Sequence, residues 1–137
     1  MTFDTRVIVG LWYLIVSGAV IGVWAQFFPL AFYDSFPGLG RSWVSVDGPF
    51  NEHLVRDVGG SYLALAAVTL IAAFAKTRET ILAAAFGWLV AQIPHFTYHM
   101  IHLHVYPATI DKVGTAITLV LLVLVPAYLF IRAVRKK

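Results

Sequence analysis

Four of the five histidines in this chain fall within ten residues, inside Gln92-Ile93-Pro94-His95-Phe96-Thr97-Tyr98-His99-Met100-Ile101-His102-Leu103-His104. Imidazole titrates near neutrality and is the commonest metal ligand, so such a cluster can hold an ion or move a proton. Gln92, His95, His99 and His102 recur at helical spacing and form one stripe, continued by Ala91, Trp88 and Ala84. A second polar set, His53 and Asp57, is spaced by one helical turn and shares its face with Gly60 and Ala64. Glu52 and Arg56 are also a turn apart and are placed to pair on the flank.

If the two stripes face each other, they support three chemistries. The first is a metal site built from His53, Asp57, His95 and His99, with His102, Glu52, Gln92 and Gln26 as secondary members. Two histidines at i and i+4 can chelate one ion, and a carboxylate and histidine from the facing helix complete a set suited to zinc, copper, nickel or non-haem iron. His95 and His102 are about 10 Å apart along a helix axis, so one ion is held by His95 and His99 or by His99 and His102. Haem between His53 and a histidine of the other stripe is a weaker option. A di-iron hydroxylase of the histidine-box type needs more histidines than the five present. The second chemistry uses no metal: the same four residues act as acid and base, with Asp57 fixing a tautomer. Trp88, Phe96, Tyr98, Tyr62 and Trp43 would then wall a pocket for a lipid, quinone or sterol-like ligand. In the third, these side chains only tie helices together, through interhelical hydrogen bonds of about 0.6 kcal/mol each, in an accessory subunit of a larger membrane complex. His102 and His104 then reach the headgroup region from a helix end.

The elements that position these residues are membrane helices. Of 137 residues 60% are hydrophobic and 12% charged, against roughly 25% charged in soluble domains. Four uncharged runs, Val7 to Leu30, Val58 to Ala75, Ile81 to Leu103 and Val113 to Ile131, each approach the roughly 20 residues that span a bilayer. A spanning chain must satisfy its backbone internally, so the expected fold is all-α: a single four-helix transmembrane bundle with helices over about 7–32, 49–75, 80–103 and 112–133. Cysteine is absent, which excludes thiolate, disulfide and iron-sulfur chemistry. The net charge of +3 comes with Arg132, Arg135, Lys136 and Lys137 directly after the last apolar run, a membrane-surface anchor rather than a nucleic-acid site.

Gly18 and Gly22 make a small-xxx-small face on the first helix, and Gln26 continues that face one turn on. Val23-Trp24-Ala25 has the spacing of a signal-cleavage site, but the apolar run continues well past it. Tyr33 to Gly48 is rich in turn formers yet carries Phe36, Leu39, Trp43 and Val44, so it is expected to fold over the bundle mouth as a lid. Pro49 fits a first helical turn, and Pro94 interrupts the third helix just before its histidines. Apart from Thr115 and Thr118, the fourth helix is apolar until Arg132 and reads as structural.

Arg6, Lys76, Arg78, Arg132, Arg135, Lys136 and Lys137 lie on one side of the membrane, and Arg41, Arg56 and Lys112 on the other. The positive-inside rule then makes both termini cytoplasmic and puts all the histidines on the outer face of a multi-pass protein of the cell membrane. Membrane lipids, a lipophilic small molecule, a membrane protein partner or a second copy of the chain are the expected partners. In size, helix number and cytoplasmic termini the chain resembles the small DoxX-like four-helix membrane proteins of bacteria. That resemblance rests on topology and carries no residue motif, so it implies the fold and no site residue.

Overall fold

The computed structural model describes residues 4–135. Four long helices dominate it: α1 (Thr5–Phe27), α3 (Glu52–Ala75), α4 (Arg78–Ile101) and α5 (Thr109–Arg135). Between α1 and α3 come a short helix, α2 (Pro29–Ser35), and a minimal antiparallel hairpin of β1 (Pro37–Gly38) and β2 (Arg41–Ser42). A single 3-10 turn, Leu103–Val105, follows α4. The long helices have 23, 24, 24 and 27 residues and the composition of membrane spans. At 1.5 Å per residue they reach about 35–40 Å, enough to cross a hydrocarbon core of about 30 Å. The chain is a small multi-pass membrane protein with an all-α bundle.

Local chemistry sets the helix ends. Asp4 caps α1 by accepting from the Arg6 N–H at 3.0 Å. The run expected to be one helix as far as residue 32 is divided at Phe28 (φ −132°, ψ 57°), after which Pro29 starts α2. Proline has no N–H and its ring collides with the carbonyl one turn back, so the helix restarts in a new direction. Asn51 rather than Pro49 marks the start of α3: its backbone is extended and its side chain accepts from the Leu54 N–H at 3.2 Å. Lys76 closes α3 in the left-handed conformation, and Thr77 caps α4 through the Thr80 N–H. Pro94 is accommodated within a continuous α4.

Two close pairs of helices build the bundle, α1 with α3 and α4 with α5. Glycine permits the first. A Cβ on Gly22 would meet the Leu63 nitrogen at 2.9 Å, and one on Gly59 would meet the Gln26 backbone, its Cα at 2.8 Å. Such backbone proximity is how small residues drive helix association in lipid. Between the pairs, Trp88 donates to Thr69 Oγ1 at 2.8 Å and Gln92 donates to the Tyr62 hydroxyl at 3.1 Å. Leu11, Leu14, Ile81, Ala85, Trp88 and Leu129 fill the centre and are completely buried. Arg132 reaches Asp4 at 3.7 Å and Arg78 donates to the Ala133 carbonyl, so the α3–α4 turn meets both chain ends at one end of the bundle. Apolar side chains such as Val9, Val16, Ile71, Phe74, Phe86 and Leu124 point outward, as lipid-facing residues do.

Candidate functional site

At the opposite end the helices part and the segment from α2 to Gly48 lies across the gap. Asp111, at the start of α5, holds it down: Trp43 Nε1 donates to Asp111 Oδ1 at 2.9 Å, and Arg41 reaches both carboxylate oxygens at 3.2 and 3.3 Å. The Trp43 ring lies flush on Gly114, where a Cβ would come within 2.8 Å of it. Tyr33 donates to the Gly48 carbonyl at 2.7 Å, and Phe32, Phe36 and Trp43 stack edge-on or tilted along the underside. Gly38, Leu39 and Gly40 all have positive φ, so the hairpin tip turns tightly and leaves Leu39 wholly exposed.

Beneath this lid is a cavity of about 240 Å³. Its wall is mostly apolar, with Ile21, Phe32, Phe36, Val44, Val55, Leu119 and Leu122 among its lining residues. The polar members are Asp47, His95, His99, Tyr62, Tyr106, Thr115 and Thr118. Asp47 Oδ2 lies 3.6 Å from His99 Nδ1, and the Tyr106 hydroxyl lies 3.3 Å from the same nitrogen. The His99 side chain is 14% exposed and that of Asp47 22%, so the pair is largely sheltered from solvent. His95 stands edge-on to His99, with ring centroids 4.6 Å apart, and is itself exposed at the rim. Tyr106 is buried, and that burial pushes its hydroxyl pKa above the usual range, with Asp47 and Asp111 adding to the effect. Thr115 Oγ1 is buried on the same wall, next to the Tyr106 hydroxyl.

The expected site residues are thus divided. His95 and His99 face the cavity, and Gln92 sits buried just below them against Tyr62. His102 caps α4, stacks on Tyr98 and turns its Nδ1 to the Tyr98 carbonyl, outside the cavity lining. His53 and Asp57 pair with each other at 3.3 Å on an exposed face, their side chains 82% and 61% accessible, and do not meet the α4 histidines. Glu52 and Arg56 do pair, at 2.7 Å, and Arg56 also donates to the backbone carbonyl of Gln26. The Gln26 side chain lies beside Gly60 rather than in the cavity.

The reason for this division is the rotation of α3. Its buried face is Gly59, Tyr62, Ala66, Thr69 and Ala73, on the opposite side of the helix from His53, Asp57, Gly60 and Ala64. Gly59 is the position where α1 comes closest, and Tyr62 finds Gln92, so this register both packs and satisfies its polar groups. The His53–Asp57 pair, in the first two turns of α3 beside Glu52 and Arg56, stays at the charged end of that helix, where it costs least.

Sequence reasoning missed Asp47, Asp111 and Thr115 as site residues. Asp111 lies beyond an apolar helix start, and Asp47 lies in a turn-rich link; neither shows a periodic signal. The fourth helix, expected to be structural, supplies a cavity wall and the lid anchor. Among the described residues no three His, Asp or Glu side chains gather as metal ligands. The expected set of His53, Asp57, His95 and His99 is not assembled around one point. Nor are His53 and an α4 histidine brought face to face for haem. No family model, curated protein or solved structure matches this chain.

Proposed function

We propose that this protein binds a small lipophilic molecule with one polar head group, and that His99, backed by Asp47, exchanges a proton with that head. The observation that carries the reading is the cavity: apolar walls, with a sheltered carboxylate, imidazole and phenol meeting around one nitrogen. Pockets of this make-up, with few polar groups in an apolar enclosure, are the usual form of small-molecule sites. An apolar cavity of about 150 Å³ accommodates benzene, so 240 Å³ suits a single substituted ring or a chain of similar bulk. A phenol, a quinone head or a hydroxylated ring has the chemistry to meet His99 and Tyr106.

A carboxylate beside Nδ1 favours the tautomer with its proton there, which leaves Nε2 as the basic nitrogen. His95 crowds the same site and discourages a second positive charge beside His99. The excess of basic residues at the termini and the α3–α4 turn supports a cytoplasmic position for that end, with the cavity at the outer face of the cell membrane.

The probe for this reading is 4-ethylphenol, titrated onto the protein in lipid nanodiscs and followed by tryptophan fluorescence, to which Trp43 in the cavity wall contributes. Saturable binding that weakens at least tenfold in His99→Ala is the expected result. Equal, unsaturable uptake by both proteins would overturn it. Because the chain has no cysteine, single introduced cysteines at Leu39 and Thr77 test orientation. Labelling of the first alone from outside the cell is expected; labelling of Thr77→Cys instead would reverse the topology.

A further inference from the structure

The cavity has a side opening, and its edges are specific. Leu54 and Val58, on consecutive turns of α3, line it yet are 58% and 43% exposed. His95, on α4, also lines it and is exposed. Apart from Asp47 on the lid, the rest of the lining is buried or half-buried. The helices α3 and α4 are joined by a tight turn at the other end of the bundle, so the gap lies between the free arms of one helical hairpin. The α1 side is closed by the glycine contacts with α3, and Trp43 clamped to Asp111 covers the α5 side of the lid.

The geometry points to a lateral portal through which the ligand passes between the cavity and the bilayer, with a tail left in the acyl chains while its head meets His99. Apart from His95 the rim is apolar, where it would be polar throughout in a water channel. Leu54 and Val58 form one edge, and on α4 the face of His95 continues one turn back as the exposed Ala91. Depth fits as well. Leu54 shares the first turn of α3 with the Glu52–Arg56 pair, a charged set suited to the headgroup level, and Val58 lies one turn deeper. The ligand class is therefore a membrane-dissolved amphiphile with a chain longer than the cavity can enclose. This inference rests on the binding reading above and adds the route and the tail.

Chain length separates the two ideas. A series of para-alkylphenols from ethyl to decyl is titrated in nanodiscs, with affinity expressed per phenol in the bilayer. With the portal, affinity stays within about threefold along the series, because added carbons leave the cavity. A sealed cavity would instead reject the long members by more than tenfold, which would overturn the portal and leave the binding site standing. Val58→Trp and Leu54→Trp, at the portal edge, are each expected to weaken decylphenol at least tenfold more than they weaken ethylphenol. Unchanged decylphenol binding in both variants would also overturn the portal. Failure of ethylphenol itself to bind the unaltered protein would remove the site and the portal together.

Discussion

The molecule contains two histidine–aspartate pairs of opposite character. His53 and Asp57 are a turn apart on one helix and 3.3 Å from each other, with side chains mostly exposed. His99 and Asp47 come from a helix and a lid, lie 3.6 Å apart, and are sheltered with Tyr106 over a cavity. The shorter pair is the one dictated by sequence spacing, and it touches nothing else that could do chemistry. The longer pair exists only because the fold brings distant segments together. Surroundings, rather than the distance between partners, decide which pair can act: low dielectric and a bounded space make a proton transfer controllable.

The sheltered pair depends on the lid, so releasing the lid is the strongest way to break the contrast. Asp111→Ala removes the acceptor for both Trp43 and Arg41. Arg41 is 39% exposed and recovers some hydration, so the expected loss is about 2–3 kcal/mol rather than the larger cost of a fully buried pair. Thermal unfolding in detergent should record it, together with faster proteolysis at Gly38–Gly40 and a red shift of Trp43 emission. An unchanged melting temperature and an intact hairpin would show that the lid is held by its aromatic underside alone.

Within the sheltered pair, Asp47→Asn keeps the shape and removes the charge. Binding of 4-ethylphenol should weaken about tenfold, roughly 1.4 kcal/mol, with little change in stability. Tyr106 gives a pH handle on the same pair. Its pKa is raised above the ordinary 10.0, chiefly by burial. The stability linked to this raised pKa is fully present below about pH 10, and it is lost as pH rises through the folded-state value. A difference ultraviolet titration against Tyr106→Phe should show its phenol ionising later than the exposed tyrosines. In Asp111→Ala that phenol should return toward the ordinary range, since both the cover and one nearby carboxylate are gone. A Tyr106 that titrates with the exposed tyrosines in both proteins would mean that the lid does not seal the site.

Much of the frame is legible in the amino-acid order. Long uncharged runs can only be helices in lipid, Gly18 and Gly22 announce a close neighbour, and the Gln92 to His99 stripe does face inward. The rotation of α3 is not legible in the same way. A helix surrounded by lipid is apolar on every side, so periodicity does not mark its inner face. Gly59 and Gly60 are adjacent and equally small, and only the approach of the Gln26 backbone to Gly59 decides which turns in. Asp47 and Asp111 escape for another reason. Their partners are 52 and 68 or more residues away in the chain, and a long-range pair leaves no local pattern.

The smallest expected effect is the one that tests the comparison from its other side. His53→Ala removes the pair that sequence spacing favours. The two side chains are exposed and one turn apart, and ion pairs of that kind contribute about 0.3–0.5 kcal/mol on a helix. Stability should therefore move by no more than about 0.5 kcal/mol, and 4-ethylphenol binding by less than twofold, while His99→Ala loses tenfold. A larger loss in His53→Ala than in His99→Ala would place the chemistry on the outer face of α3 and make the cavity a packing defect. The reason to expect otherwise is physical. An imidazole that already meets water gains little from a carboxylate beside it, because solvent screens the charge. The same carboxylate beside His99, with a phenol on one side and apolar walls around, fixes the ring and its proton.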